Sequence, residues 1–221
     1  MNYRGRVFLI RHGDVEDNGA LLFEGHTDVP LDEDGQYQAM NSGLELAGYQ
    51  PNTDRIYSSD LLRASKAAEI IGNSLSVTNN GRNIEIVLKK EFRELNMGTW
   101  DGKLVDDIKR LYPKEFEKFN ADPLNFKPSK DAENYYELQN RAIAAFYNIL
   151  EEEHKVSLKL RRNPENLENG MFVGDEDRDV VLVTHSGVIR MLLKDFLGYS
   201  MDQALSLDIP KGSITLLEIT T

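Results

Sequence analysis

The sequence predicts an α/β fold, in which a mainly parallel sheet is flanked by helices on both faces and carries a helical cap insertion. Short apolar runs bounded by turn residues alternate with helical patterns. Polar residues of catalytic type directly follow three of these runs, and a charged stretch with three prolines interrupts the alternation. A chain of 221 residues can bury one full core, so we expect a single domain over residues 1–221.

The predicted elements follow from the positions of the apolar runs and the turn residues. Strands are predicted over Val7–Ile10, Arg55–Tyr57, Ile84–Leu88, Val180–Thr184 and Ser213–Ile219. The last of these is expected at a sheet edge. Helices are predicted over 35–47, 60–71 and 188–196, because each stretch has helical periodicity and leads to a glycine. Gly72 is therefore expected to end the second helix.

The middle of the chain differs in composition from its two ends. Between Leu104 and Glu153 it is helical and strongly charged, and 133–150 has apolar residues recurring on one side. We expect this segment to cap one end of the sheet. Lys155–Asp179 is charged and lacks periodicity, so we expect an exposed, mobile excursion there.

Composition argues against several classes of function. The chain has no cysteine, which excludes disulfides, thiolate metal sites and a cysteine nucleophile. Its net charge of −11 argues against binding nucleic acid through bulk electrostatics. No stretch approaches the roughly 20 apolar residues that span a bilayer, so we expect a cytoplasmic protein without a membrane partner. An acidic surface also repels anions, so an anion site must be built locally from a few placed side chains.

Three predicted strands end in polar residues that lead into a turn and a helix. The segments are Arg11-His12-Gly13, Ser58 to Arg63, and His185-Ser186-Gly187. Ligands of open α/β sheets bind beyond the carboxyl ends of the strands, so these segments are expected to converge on one crevice. They would bring two histidines and two arginines together.

This set of side chains suits a phosphoryl group. Arginine pairs bidentately with phosphate oxygens, and helix N-termini add backbone donors for an anion. A histidine ring nitrogen can attack phosphorus and so divide hydrolysis into two easier steps. Phosphoryl transfer depends mainly on positioning and on neutralising charge, which these groups could provide without a metal.

A fourth segment, running from Phe92 to Gly102, supplies carboxylates. One of them could protonate the leaving oxygen and later deprotonate water. Glu94 is the candidate, although the residues alone hardly separate it from Glu91 or Asp101.

Four ordered segments resemble the signatures of one known family. They are Arg11-His12-Gly13 with Asn18 and Gly25-His26-Thr27-Asp28, then Ser58 to Ala64, then Glu94 to Gly102, and last Thr184 to Val188. On these segments the chain resembles the histidine phosphatase superfamily, in its phosphoglycerate mutase-like branch. The resemblance covers essentially the whole chain apart from Lys155–Asp179.

The resemblance implies a role for each matched residue. The catalytic set would be His12 as phosphoryl acceptor, Glu94 as proton donor and acceptor, and His185. The phosphate-binding set would be Arg11, Asn18, Gly25 and Arg63. His26 and Ser186 are assigned to the mouth of the substrate site. No metal and no cofactor are implied, and the expected partner is a small phosphorylated substrate, with a homodimer as a possible assembly.

Two departures within the family favour a phosphatase over a mutase. Glycolytic mutases usually carry tryptophan where His26 and Asp17 stand here, and the motifs are closer to α-ribazole phosphatase-like small-molecule phosphatases. Glu24 also departs from the pattern, because it places a carboxylate beside the expected phosphate loop. It is expected to point away from the anion.

Two other functions stay open at this point. A phosphoglycerate mutase would use the same phosphohistidine and return the phosphoryl group to its substrate. A catalytically silent binding module would keep the fold without the chemistry, but Arg11, His12, Arg63, Glu94 and His185 are all present. The favoured reading is a metal-independent phosphatase that hydrolyses small phosphate monoesters through a phosphohistidine intermediate.

Overall fold

The computed structural model describes residues 4–16, 21–78, 81, 83–153, 157–159, 171–173 and 178–220. Its strands are β1 (Arg4–Arg11), β2 (Arg55–Ser58), β3 (Glu85–Leu88), β4 (Ser157–Lys159), β5 (Met171–Val173), β6 (Val180–Thr184) and β7 (Ile214–Thr220). Its α-helices are α1 (Glu33–Gly48), α2 (Leu62–Thr78), α3 (Val105–Leu111), α4 (Pro113–Ala121), α5 (Tyr135–Asn148), α6 (Ser186–Leu197) and α7 (Met201–Ser206).

A five-stranded sheet in the order β3-β2-β6-β1-β7 forms the centre of the fold. The first four strands in this order run parallel, and β7 pairs with β1 in the antiparallel direction. β7 therefore lies at an edge, as predicted. The predicted class, a mainly parallel sheet flanked by helices, is confirmed.

Alternate side chains of the strands fill two separate apolar cores, because successive residues of a strand point to opposite faces. Phe8 and Ile10 of β1 pack in the core that contains residues of α1 and α2. Val7 and Leu9 pack in the core that contains residues of α5 and α6. All five residues of β6 are buried, as expected for a central parallel strand that is covered on both faces.

Gly72 does not end the second helix, and that prediction was wrong. α2 continues to Thr78. A Cβ atom at Gly72 would lie 3.1 Å from the Ile86 side chain on β3 and 3.7 Å from that of Ile56 on β2. The glycine lets the helix pack closely on the sheet, so its role is in packing and not in capping.

The helices α3, α4 and α5 lie within the segment that the sequence assigned to a cap. Trp100 is buried among four phenylalanines, Phe23, Phe116, Phe119 and Phe126. α5 begins with a capping box, in which Asn134 and Glu137 each bind the other's backbone N–H. Most of Lys155–Asp179 lies outside the described residues, apart from the paired strands β4 and β5 and the segment from residue 178.

Within the described residues, no helix is long and apolar enough to cross a membrane. The cytoplasmic location and the homodimer stay predictions.

Candidate active site

The catalytic-type residues meet at the carboxyl ends of three neighbouring strands. Arg11 of β1 is in register with Thr184 of β6, and Ser58 of β2 is in register with Val183. The chain turns after each of these three strands, so the residues that follow them reach the same edge of the sheet. The rings of His12 and His185 lie 5.0 Å apart between centroids.

His12 is held as a neutral imidazole whose Nε2 lone pair points toward Arg63 Nε. Its Nδ1 lies 2.7 Å from the carbonyl oxygen of Gly13, which fixes the proton on Nδ1 and leaves the lone pair on Nε2. The side chain is only 2% exposed. Burial, followed by the charge of Arg63, lowers the pKa of His12 well below its usual value, so the ring is uncharged at neutral pH.

Arg63 is fully buried and approaches His12 from the first turn of α2. Its Nη1 and Nη2 donate to the carbonyl oxygens of Thr27 and Gly25, both at 2.7 Å. These bonds fix the plane of the guanidinium. The remaining edge presents Nε, which lies 3.3 Å from His12 Nε2.

His185 is the N-cap residue of α6 and is fully buried. Its Nε2 lies 2.9 Å from Ser59 Oγ, which also accepts a hydrogen bond from the Leu61 N–H. When this hydroxyl donates to Nε2, the ring proton of His185 lies on Nδ1. That Nδ1 is buried without a partner among the described residues. Burial, together with Arg63 and His12, lowers the pKa of His185 well below its usual value.

The Glu94 carboxylate is seated on the N-terminus of α6. Gly187 N–H donates to its Oε2 at 3.0 Å, and Ser186 Oγ lies 3.4 Å from the same atom. Leu95 N–H donates to Oε1 at 2.7 Å. A side chain at Gly187 would collide with the carboxylate, so a glycine is required for this close approach.

The loop that carries Glu94 is held by Arg141 of α5. Its guanidinium donates to the carbonyl oxygens of Glu91, Arg93 and Glu94 at 2.7–2.8 Å, and it pairs with Glu133. Sequence reasoning missed this residue. The helical pattern of 133–150 showed an apolar face, but nothing in it indicated what an arginine on that helix would bind.

The structure separates Glu94 from the two carboxylates that sequence left as alternatives. Glu94 lines the cavity in front of His12, whereas Glu91 and Asp101 do not. Asp101 accepts hydrogen bonds from the backbone N–H groups of His26 and Met97, so it supports the loop.

This geometry can be compared with known proteins. The family model described as the histidine phosphatase superfamily (branch 1) matches residues 7–158 and 170–221. This chain belongs to the histidine phosphatase superfamily.

Relatives and solved structures agree with this histidine phosphatase assignment. A broad-specificity phosphatase of Saccharomyces cerevisiae is 25% identical over 96% of this chain and 79% of its own. A phosphoglycerate mutase-like protein of Arabidopsis thaliana is 26% identical over 84% of this chain and 68% of its own. The crystal structure of the α-ribazole phosphatase from Shigella flexneri has a TM-score of 0.72, at 19% identity over 96% of this chain and 89% of that one. The resemblance predicted from the motifs is confirmed, and the enzyme class is that of a phosphatase.

Arg11 and a lysine complete the positive charge of this histidine phosphatase site. Arg11 Nη1 donates to the carbonyl oxygen of Ile209 at 2.6 Å, and its Nε is buried without a partner among the described residues. Lys211 lines the cavity and pairs with Asp14 at 2.9 Å. Sequence reasoning missed Lys211. It lies in the turn before β7, which pairs with β1, so the turn is adjacent to Arg11 and His12.

Glu24 points into the site, and the prediction that it points away was wrong. Its Oε2 lies 3.8 Å from His12 Nε2 and 3.6 Å from Arg63 Nε, and its Oε1 lies 3.7 Å from Lys211 Nζ. The carboxylate is drawn inward because buried cations converge there and lower the cost of placing a negative charge.

Of the remaining residues that the sequence assigned to the site, some line the cavity and others do not. Gly25 lines the cavity with a φ of 43°, and Ser186 also lines it. His26 does not line the cavity; its Nε2 lies 2.9 Å from the Glu94 carbonyl oxygen, so it supports the loop behind the site. Burial lowers the pKa of His26. Asn18 lies outside the described residues.

The cavity in front of His12 has a volume of about 260 Å³. Its polar side chains include Arg11, His12, Glu24, Glu94 and Lys211. The rest of the lining is mostly apolar and includes Leu21, Leu22, Phe23, Leu95, Met97, Phe119 and Tyr135. The lining therefore combines polar side chains beside His12 with an apolar part, called the apolar end, that includes Phe119 of α4.

Proposed function

We propose that this histidine phosphatase hydrolyses small phosphate monoesters in two steps, through a phosphohistidine formed at Nε2 of His12. One observation carries the proposal. The hydrogen bond of His12 Nδ1 to Gly13 fixes a neutral ring whose Nε2 faces Arg63 and the cavity, with the Glu94 carboxyl in the same cavity wall. A nucleophile, anion donors and a proton donor are thus within one small site.

In the first step, His12 Nε2 attacks phosphorus and the bond from phosphorus to the leaving oxygen breaks. Arg63 Nε, Arg11 Nε and His185 Nδ1 are the N–H donors for the phosphoryl oxygens. Two of them, on Arg11 and His185, are buried without another partner among the described residues. Glu94 donates its proton to the leaving oxygen, so the alcohol departs neutral. Asn18 and the backbone at Gly25 are assigned to the same anion by the family resemblance.

In the second step, a water molecule attacks the phosphohistidine from the side that the alcohol has left. The ionised Glu94 takes a proton from this water, and the bond from His12 Nε2 to phosphorus breaks. Inorganic phosphate and neutral His12 result. Glu94 carries its proton again, so the cycle is complete.

The apolar end of the cavity supports substrates whose leaving groups are apolar or aromatic. Buried polar groups without partners are costly, and this end of the lining contains few donors or acceptors. Leu21, Phe23, Met97 and Phe119 in this part of the lining offer no cationic side chain to the carboxylate of a phosphoglycerate. This favours hydrolysis of small esters over the mutase reaction.

A panel of phosphate monoesters tests the proposal. It includes aryl and alkyl phosphates, phosphoserine, α-ribazole phosphate, sugar phosphates, and 3-phosphoglycerate with its bisphosphate primer. Free phosphate and isomerised product are followed together for the wild type and His12→Asn. We expect phosphate release, fastest for esters with apolar leaving groups, and none from the variant. Isomerisation without phosphate release would replace this proposal with the mutase.

A further inference from the structure

Glu24 has no role in the two steps above, although its carboxylate lies among the groups that would hold the phosphoryl oxygens. Sequence reasoning placed it outside the anion site, and the family resemblance assigns it nothing. The following inference rests on the proposed function, because it concerns how the same site takes its phosphoryl group.

The distances place Glu24 in contact with a reacting phosphoryl group. Phosphorus must lie about 3–3.5 Å from the attacking His12 Nε2 in a near-attack geometry. Glu24 Oε2 is 3.8 Å from that nitrogen and 3.6 Å from Arg63 Nε, the donor expected to bind a phosphoryl oxygen. A phosphoryl group at this position therefore brings one of its oxygens against the Glu24 carboxylate.

Charged and titratable groups surround Glu24 on several sides. His12 and Arg11 come from the end of β1, Arg63 from α2, and Lys211 from the turn before β7, and Glu94 and Tyr135 also line the cavity. Lys211 is shared with Asp14. Arg63 and Lys211 form ion pairs with Glu24 in the free enzyme, so the carboxylate enters the site as an acceptor of hydrogen bonds. An ionised carboxylate cannot donate one.

Two oxygens that both lack a proton repel each other, whereas a single proton between them forms a short, charge-assisted hydrogen bond. We propose that the Glu24 carboxylate accepts a hydrogen bond from a protonated phosphoryl oxygen, so that the site selects protonated phosphate oxyanions and rejects unprotonated ones. Glu24 is then a specificity-determining residue. It admits phosphate esters as monoanions and excludes sulfate esters, whose oxygens carry no proton.

The proposal has a consequence for the pH dependence of turnover. The second ionisation of a phosphate monoester has a pKa of about 6. Above that pH, the fraction of monoanion falls about tenfold per pH unit, and KM of the wild type is expected to rise in proportion. With Glu24→Gln, the amide can donate to an unprotonated oxygen, and KM becomes nearly independent of pH between about 6 and 8.5.

Direct binding of two inorganic anions tests the proposal without requiring turnover. Phosphate carries a proton throughout the neutral range, and sulfate carries none. Isothermal titration calorimetry measures the affinity of both anions for the wild type, for Glu24→Gln and for Glu33→Gln. The last variant is the control, because it loses the same charge at an exposed position on α1. We expect the wild type and Glu33→Gln to prefer phosphate by on the order of 100-fold, and Glu24→Gln to bind the two anions within about threefold.

Wild-type binding of sulfate as tightly as phosphate would overturn the proposal, and this arm needs no variant. An equal gain in affinity for both anions in Glu24→Gln would also overturn it, because Glu24 would then repel both anions alike and would not select the protonated one. If neither anion binds to any of the three proteins, the phosphate site itself is wrong and the proposed function fails. If phosphate binds and His12→Asn is inactive, but Glu24→Gln leaves the preference unchanged, only the inference about Glu24 fails.

Discussion

Two buried histidines, His12 and His185, face each other in the site as uncharged rings. The sequence suggested four cationic groups there, but burial beside Arg63 lowers the pKa of both histidines well below 6.5. The positive charge comes instead from Arg11, Arg63 and Lys211. A neutral His12 is what the attack on phosphorus requires, because a protonated ring has no lone pair to donate.

The buried histidines predict that stability falls as pH falls below about 6.5. Their folded-state pKa lies below the unfolded value of 6.5, so the unfolded chain binds more protons in this window and unfolding becomes easier. Each histidine contributes up to about 1.4 kcal/mol per pH unit. Urea denaturation between about pH 5 and 8 measures the slope, and His185→Asn should make it shallower. An identical slope in this variant would mean that buried His185 does not contribute to the pH dependence of stability.

Glu94→Gln is expected to lower kcat for alkyl phosphates by about 10²–10⁴-fold, since the leaving alkoxide then lacks a proton donor. With p-nitrophenyl phosphate, whose leaving group needs no proton, the variant should release one equivalent of nitrophenol in a burst and then turn over slowly. Rapid-quench kinetics detect the burst. Glu91→Gln is the matched control, because Glu91 lies outside the cavity. An equal loss of kcat in both variants would show that Glu94 is not the proton donor.

Some features of the site at the level of single residues could be predicted from the sequence, and others could not be predicted. His12, Arg63, Glu94 and His185 lie in short motifs that follow predicted strands, so their convergence could be predicted from the rule that ligands bind beyond the carboxyl ends of strands. The inward direction of Glu24 and the contacts of Lys211 and Arg141 depend on side chains brought together from distant parts of the chain. Local sequence carries no signal for these, and the prediction for Glu24 was wrong for that reason.

At the scale of elements, the N-terminus of α6 positions Glu94. Backbone N–H groups of the first helical turn have no partner within the helix, and here Gly187 N–H binds the carboxylate. A glycine is required at position 187 because the Glu94 carboxylate lies where a Cβ atom would be. Gly72 in α2 has a similar packing role against β2 and β3, although sequence pattern suggested a helix end. A glycine near the end of a periodic stretch does not by itself distinguish the two roles.

Gly187→Ala is expected to lower kcat by about 100-fold while phosphate binding is retained, because the added Cβ displaces the Glu94 carboxylate. Gly48→Ala at the end of α1 is the control, since its Cβ would have no neighbour within 4 Å. Steady-state kinetics and phosphate titration of both variants measure the effect. Unchanged kcat in Gly187→Ala would mean that the position of Glu94 is not critical.

At the scale of the whole molecule, the parallel sheet brings residues from positions 11 to 185 to one edge. The alternation of strands and helices predicted this arrangement well, because strand order and direction constrain where the carboxyl ends lie. The acidic chain, with a net charge of −11, concentrates its few functional cations in this crevice. The path of the cap could not be predicted, because it depends on the packing of Trp100 with its surrounding phenylalanines.

Activity is expected to survive excess chelator. The described residues contain no group of three or more His, Cys, Asp or Glu side chains that could hold a metal ion. The arginines and Lys211 supply the positive charge instead. Phosphate release measured before and after treatment with EDTA tests this, and full loss that magnesium restores would contradict it.

Trapping of the covalent intermediate shows directly whether His12 is the phosphoryl acceptor. The enzyme is mixed with a rapidly hydrolysed monoester, quenched in base within milliseconds to preserve phosphohistidine, and digested for mass spectrometry. We expect a phosphoryl group on His12 of the wild type and none in the His12→Asn variant. Steady turnover with no phosphorylated His12 in Glu94→Gln, the variant expected to accumulate the intermediate, would contradict this expectation.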